Sequence, residues 1–223
     1  MTPYFYHGTI RAVTVALSDI FNEIYIGIYD TSGTFVKTKK VSFKYGPVDK
    51  VSQIRTEAYS QEGGTKYYTQ LPNIALTLTG MNRSDDRSTS VNEFRSFRDN
   101  DEVCESNNFM TDAQPTPIDF KFSLEYKTST MNDFAQITEQ TLVYFNPDLI
   151  LRIREFEDFG NIERDLAVKL ENFGINYDDN PYDEQHRRTI VGKIDFTVEG
   201  YLYFPRSTHS AIIKQIHNTY WIY

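Results

Sequence analysis

The sequence predicts an α+β fold, with a mostly antiparallel or mixed β-sheet flanked by two or three helices. Three observations carry that prediction. Two long segments alternate apolar and polar residues with the two-residue period of a half-buried strand. Two others repeat apolar residues at helical spacing. No internal repeat, low-complexity tract or linker divides the 223 residues, so a single domain is expected over 1–223.

The first helix is expected over 10–21, where Val13, Leu17, Ile20 and Phe21 share a face and Thr9 stands as N-cap. The period then shortens. Ile24, Ile26 and Ile28 alternate with Tyr25, Gly27 and Tyr29, and after the turn at 30–33 a second strand runs over 35–45, which makes a hairpin. Lys37, Lys39 and Lys40 mark a solvated edge there. A short helix is expected over 48–59, with Pro47 in its first turn. Ile74, Leu76 and Leu78 alternate as another strand.

A polar segment follows over 81–117, rich in Asn, Asp, Ser, Arg and Thr. A loop that long inside a compact domain is mobile or functional. Ile118, Phe120, Phe122, Leu124 and Tyr126 then alternate with charged and hydroxyl residues as a half-buried strand. Thr128 to Thr130 offer caps for a helix that uses Met131, Phe134, Ala135, Thr138, Leu142 and Phe145 on one face and stops at Asn146-Pro147. Strands are expected at Leu149 to Ile153 and at Leu166 to Leu170, with a polar loop over 176–185. The last strand is the longest, with Ile190, Ile194, Phe196, Val198, Leu202 and Phe204 on one face. Gly192 and Gly200 fall on that apolar face, which implies a bend, a bulge or a close backbone approach.

Composition narrows the function classes. Hydrophobic residues make up 39% and aromatics 15%, with 16 Tyr and 16 Phe, so aromatic rings must carry much of the packing or association energy. A lone cysteine, Cys104, excludes an intrachain disulfide framework and a cysteine-built zinc cage. A net charge of -8 repels nucleic-acid phosphates and argues against a dedicated DNA-binding module. No apolar run approaches the roughly 20 residues of a bilayer span, and no export signal opens the chain. A protein without membrane association, folded in a reducing cytoplasm, is the expectation.

No catalytic constellation stands out. Phosphate-cradling glycine loops, a Gly-x-Ser-x-Gly elbow and a His-Glu-x-x-His pair are all missing from the sequence. His209 and His217 have no carboxylate at metal-ligand spacing. A calcium loop needs alternating oxygen ligands and a glycine at the sharp turn, a pattern that Asn176-Tyr177-Asp178-Asp179-Asn180-Pro181 lacks, and the acidic clusters at 85–86, 99–105 and 178–184 read as solvated loops. Acidic neighbours quiet Cys104 as a nucleophile. Neither catalytic residues, cofactor nor metal ligands are therefore assigned.

Arg83, Arg87, Arg95 and Arg98 cluster with Phe94 and Phe97 in the polar segment. Arginines interleaved with aromatics suit a single-stranded nucleic acid, and equally suit a protein interface. The acidic surroundings favour protein partners, and a plain loop is the remaining reading. Arg83, Arg87, Phe94, Arg95 and Phe97 are taken as interface candidates.

The chain resembles the tail sheath stabiliser and completion proteins, or tail terminators, of T4-like contractile phages. Tyr4-Phe5-Tyr6 ahead of Arg11, Leu71-Pro72-Asn73-Ile74-Ala75-Leu76, and the prolines Pro115 and Pro117 before the alternating strand carry part of the resemblance. The most specific piece runs from Asp133-Phe134-Ala135-Gln136-Ile137-Thr138-Glu139-Gln140 to Tyr144-Phe145-Asn146-Pro147. Arg187-Arg188-Thr189-Ile190 and the stretch from Phe196 to Pro205 complete it. None of these is a chemical motif. The weight lies in their common order from residue 4 to 205. One departure is the end at Tyr223, where some members carry a longer polar tail.

The resemblance implies a structural virion protein with a tail-terminator-like fold. Its partners would be five further copies in a hexameric ring, the tail tube and tail sheath proteins, and the neck or connector proteins. Genomic DNA would only pass in transit through the lumen. Localisation would be the tail and neck of the virion, after assembly in the host cytoplasm. The segment 207–223 is apolar, and its residues Ile212, Ile216, Tyr220 and Trp221 are expected to pack on a neighbouring subunit or neck partner, or alternatively to complete the domain's own core. The competing class is a metal-dependent hydrolase or nuclease built on the acidic loops.

Overall fold

A computed structural model describes residues 4–30, 32–47, 71–88, 94–98, 109–154, 163–178, 189–204 and 207–209, of which 94–98, 109–113, 178 and 207–209 are described through the backbone alone. Among the described residues more than half lie in strands and two α-helices accompany them, an α+β architecture. Its centre is a six-stranded sheet in the order β3-β4-β7-β10-β9-β8. The strands are β3 (Ser42–Tyr45), β4 (Asn73–Arg83), β7 (Thr116–Thr128), β10 (Thr189–Leu202), β9 (Glu163–Asp178) and β8 (Leu149–Arg154). Every pairing is antiparallel except that of β3 with β4.

Alternation decides which face each strand buries. In β7 the rings of Phe120, Phe122 and Tyr126 and the side chain of Leu124 are buried, while in β10 Ile190, Ile194, Phe196 and Val198 are. The register sets Phe122 directly opposite Phe196, and their rings stack at 5.9 Å with a 16° interplanar angle. Phe196 also meets Phe21 at 5.9 Å and Phe145 at 5.6 Å, so one β10 ring joins contributions from a helix, a neighbouring strand and a 3-10 turn. The two β10 glycines serve this layer. A methyl group at Gly192 would overlap the ring of Tyr126, and one at Gly200 would overlap Phe120. These glycines leave room for the two large rings close to the β10 backbone.

Helix α1 (Thr9–Phe21) buries Val13, Leu17 and Phe21, spaced one turn apart. It touches both edge strands of the large sheet, β3 and β8, so the sheet curls around it. Its N-cap is Gly8 and not Thr9: the glycine takes the left-handed conformation at φ 66°, and Thr9 is the first helical residue. Helix α2 (Met131–Leu142) packs on β7 and β10 and is capped by Thr130, whose hydroxyl accepts from the Asp133 N–H at 3.2 Å. The face it buries is Phe134, Ile137 and Thr141, rotated from the stripe expected, and Met131 is exposed. Thr141 is apolar enough for the core because its hydroxyl bonds back to Ile137 O at 2.8 Å. Thr138 adds a 2.6 Å bond to the Tyr126 hydroxyl.

Two expectations need correction. The strand expected over 35–45 is two strands, β2 (Phe35–Lys40) and β3, in different sheets. The break is Val41, which is buried and donates its N–H to Ile24 O at 2.9 Å before the chain crosses to β4. No turn residue marks that crossing. The polar segment 81–117 is not one long loop either. β4 continues to Arg83, β5 (Phe94–Arg98) pairs with β6 (Phe109–Ala113), and β11 (Ser207–His209) joins β6 in a three-stranded sheet. Pairing across a long connection supplies order that local composition does not reveal. The short helix expected over 48–59 lies outside the described residues. β9 runs on to Asp178, into the start of the polar loop expected over 176–185.

Candidate assembly surfaces

The ribbon of β1 (Tyr25–Tyr29) and β2 is a sheet of its own, packed on α2 and sending Ile26 into the common core. Gln136 and Gln140 lie one helical turn apart, and their side-chain amides reach the outer edge of β1. The N–H of Gly27 donates to Gln136 Oε1 at 2.6 Å, and Gln136 Nε2 donates to Gly27 O at 3.2 Å. Tyr25 and Gln140 repeat the pattern, with Gln140 Nε2 donating to Tyr25 O at 2.6 Å and the Tyr25 N–H donating at 3.3 Å. Residues two apart on a strand present their amides to the same side. Two glutamines on adjacent helical turns therefore do what a further strand would do. Gly27 suits the fit: a side chain there would press on the Tyr29 ring and on Gln136 Oε1.

Ile26 turns into the core, and other side chains of the ribbon are exposed. Tyr25 is 46% exposed, Tyr29 52%, Phe35 54% and Val36 57%, with Tyr29 and Phe35 in an edge-to-face pair at 6.0 Å. Exposed aromatics grouped on one rigid element are the composition of a protein contact. A second aromatic group lies near the start of the chain, where Tyr4, Phe5, Tyr6 and Phe204 are exposed and a ring nitrogen of His7 meets Phe204 O at 3.1 Å.

The face of the large sheet turned away from the helices is a lattice of paired charges. Lys169 meets Glu199 at 2.7 Å, Lys193 meets Asp195 at 3.1 Å, Lys121 meets Glu171 at 3.7 Å, and Arg152 meets Asp165 at 2.7 Å. The hydrogen bond from Arg152 holds the Asp165 carboxyl below its ordinary range, and the bond to Glu199 holds the Lys169 ammonium above its own. In the core beneath, burial pushes the Tyr126 phenol up to about 12. Each carboxylate in these pairs faces a cation, and no group of three His, Cys, Asp or Glu able to hold a metal occurs among the described residues. No described helix is long and apolar enough to cross a membrane.

Of the interface candidates, Arg83 is exposed at the end of β4, near Asp85 and donating to Ser88 at 3.0 Å. Arg87 is turned inward. It pairs with Asp119, donates to Gly200 O, and its guanidinium lies 5.1 Å from the Tyr201 ring centre, over which Arg164 also sits at 4.7 Å. Arg87 thus fastens the turn after β4 to the sheet. Phe94, Arg95 and Phe97 lie on β5, whose register sets Arg95 opposite Asp112 and Phe97 opposite Met110. Ile212, Ile216, Tyr220 and Trp221 lie outside the described residues. Gln136 and Gln140 carry part of the family resemblance, but glutamines on a helix give no signal in the sequence of what they reach, and neither does Gly27.

Against known proteins, the family profile of the T4-like virus Myoviridae tail sheath stabiliser matches residues 4–222. The chain belongs to the tail sheath stabiliser family. It is also 27% identical over 221 residues to the tail completion protein gp15 of Enterobacteria phage T4, covering 96% of this chain and 77% of that one. Tail sheath stabilisers are structural tail proteins, so the chain is a structural component of a phage tail and not an enzyme, and the metal-dependent hydrolase reading falls.

Proposed function

We propose that this tail sheath stabiliser closes the contractile tail as a ring of six like subunits. The ring caps the tail tube, holds the last turn of sheath, and offers a docking face to the neck, and the genome passes through its lumen. A single domain over 1–223 would form each subunit, assembled in the host cytoplasm and carried in the virion.

Family membership across 4–222 is the observation that carries this reading. The surfaces support it in kind. A closed ring needs unlike patches that repeat around an axis, and this chain exposes aromatic groups on the ribbon and at its start, while its polar face is already paired within the subunit. Arg83, Phe94, Arg95 and Phe97 belong to the candidate contact set, and Arg87 contributes to it by positioning the turn beside Arg83. Ile212, Ile216, Tyr220 and Trp221 are proposed contacts on a neighbouring subunit or neck partner. Removal of 210–223 should then abolish ring formation, and unchanged assembly would remove that segment from the interface.

Electron microscopy of tails from phage lacking the chain tests the role. Tails of uncontrolled length, loosened sheaths or unjoined heads are expected. Intact, head-bearing tails of normal length would refute it.

A further inference from the structure

We infer that the β1–β2 ribbon is the arm by which one copy of the chain grips the body of the next. This rests on the ring reading and says which element makes the contact between subunits.

Charge selects the occupant. The two strands carry Lys37, Lys39 and Lys40 and no carboxylate, in a chain whose net charge is -8. The remainder of the subunit is therefore more acidic than the whole. A ribbon is attracted to the body of another copy and repelled by another ribbon. That disfavours a two-fold contact through the ribbons and favours a head-to-tail contact, the kind that repeats around an axis.

Apolar chemistry lies beside the charge. Tyr29 and Phe35 form an edge-to-face pair, Val36 stands at the register shift between the strands, and all three are more than half exposed. These supply an aromatic anchor, with the lysines at its rim. The ribbon is also held in place beforehand. Gln136 and Gln140 fix the edge of β1 through four hydrogen bonds, and Lys39 Nζ donates to Leu71 O at 3.3 Å. An arm ordered before contact loses less conformational freedom on binding. Lys37 and Lys40 enter none of these bonds, so they can be changed without loosening the arm.

The test places a photo-crosslinking amino acid at Val36 in full-length chain, supplied to phage lacking its own copy. Tails are purified and irradiated, and the products are mapped by mass spectrometry. The expected product is a dimer of this chain joining Val36 to a residue outside 25–40 of the other copy. The Lys37→Glu, Lys40→Glu double variant should lower its yield about tenfold at unchanged thermal stability. A Val36 product with another tail protein, a ribbon-to-ribbon product, or none would overturn the inference, as would an unchanged yield from the charge reversal. General amine cross-linking of the same tails separates the two failures. A ladder of copies without the Val36 dimer removes the ribbon's role alone, and a missing ladder removes the ring as well.

Discussion

Gln136 closes a two-bond ring on the backbone of Gly27, accepting from its N–H at 2.6 Å and donating to its carbonyl at 3.2 Å. A side-chain amide has the same donor and acceptor as a peptide group, so it can take the place of a neighbouring strand at an edge. Gln136→Leu keeps the size of the side chain and loses both bonds. It should cost about 1–3 kcal/mol, with much faster amide hydrogen exchange across 25–29 than elsewhere. Gln136→Glu keeps the acceptor alone and should fall between the two. Exchange in 25–29 unchanged by Gln136→Leu would show that the ribbon is held by other contacts.

A methyl group at Gly192 or Gly200 has nowhere to go. Gly192→Ala must displace the Tyr126 ring and Gly200→Ala the Phe120 ring, both in the packed layer. Each should destabilise by about 1–3 kcal/mol in denaturant unfolding. Gly33, whose surroundings are empty, tests the specificity of the argument: Gly33→Ala is opposed only by its positive φ of 77°. A neutral Gly192→Ala would contradict the close approach.

The Tyr126 phenol, held up to about 12 by burial, gives stability an alkaline limb. Below pH 10 the phenol is protonated in both folded and unfolded chains, and its contribution is whole. Between about 10 and 12 only the unfolded chain releases the proton. Stability should then fall by about 1.4 kcal/mol per pH unit from this group. Tyr126→Phe should lose about 1 kcal/mol at neutral pH with the Thr138 bond, yet show a shallower decline above pH 10. Parallel curves for the two proteins would contradict this.

Arg87 fastens the turn after β4 through Asp119 and the Tyr201 ring. Arg87→Ala should cost about 1–3 kcal/mol, since it leaves a half-buried carboxylate without its partner. Arg87→Lys should recover little, because an ammonium cannot bond to Asp119 and cover the ring at once. Chemical denaturation of the two variants checks both, and full recovery by lysine would reduce the contact to simple charge.

The large sheet was legible because β7 and β10 alternate without a break, and a half-buried strand leaves that pattern whatever its neighbours. Gly192 and Gly200 were legible for the same reason, as gaps in an otherwise bulky face. The break at Val41 was not, since apolar and polar residues keep alternating through it while the chain changes sheets. Nor was the β5–β6 pairing, whose partners are separated by a long polar stretch. Among the site residues, the arginine and aromatic cluster pointed to contacts. Its composition could not say that Arg87 would find Asp119 inside the subunit while Arg83 stayed outside. The clamp was hidden for a plainer reason: a helix glutamine looks the same in sequence whether it meets water or the edge of a strand.

We propose that this chain works by joining copies of itself at the head-proximal end of the tail. Cryo-electron microscopy of purified tails carrying a small tag fused to the chain reads it directly. The account predicts tag density confined to one ring of six subunits at that end. Density spread along the sheath, a lone copy per tail, or tags only at the baseplate end would contradict it.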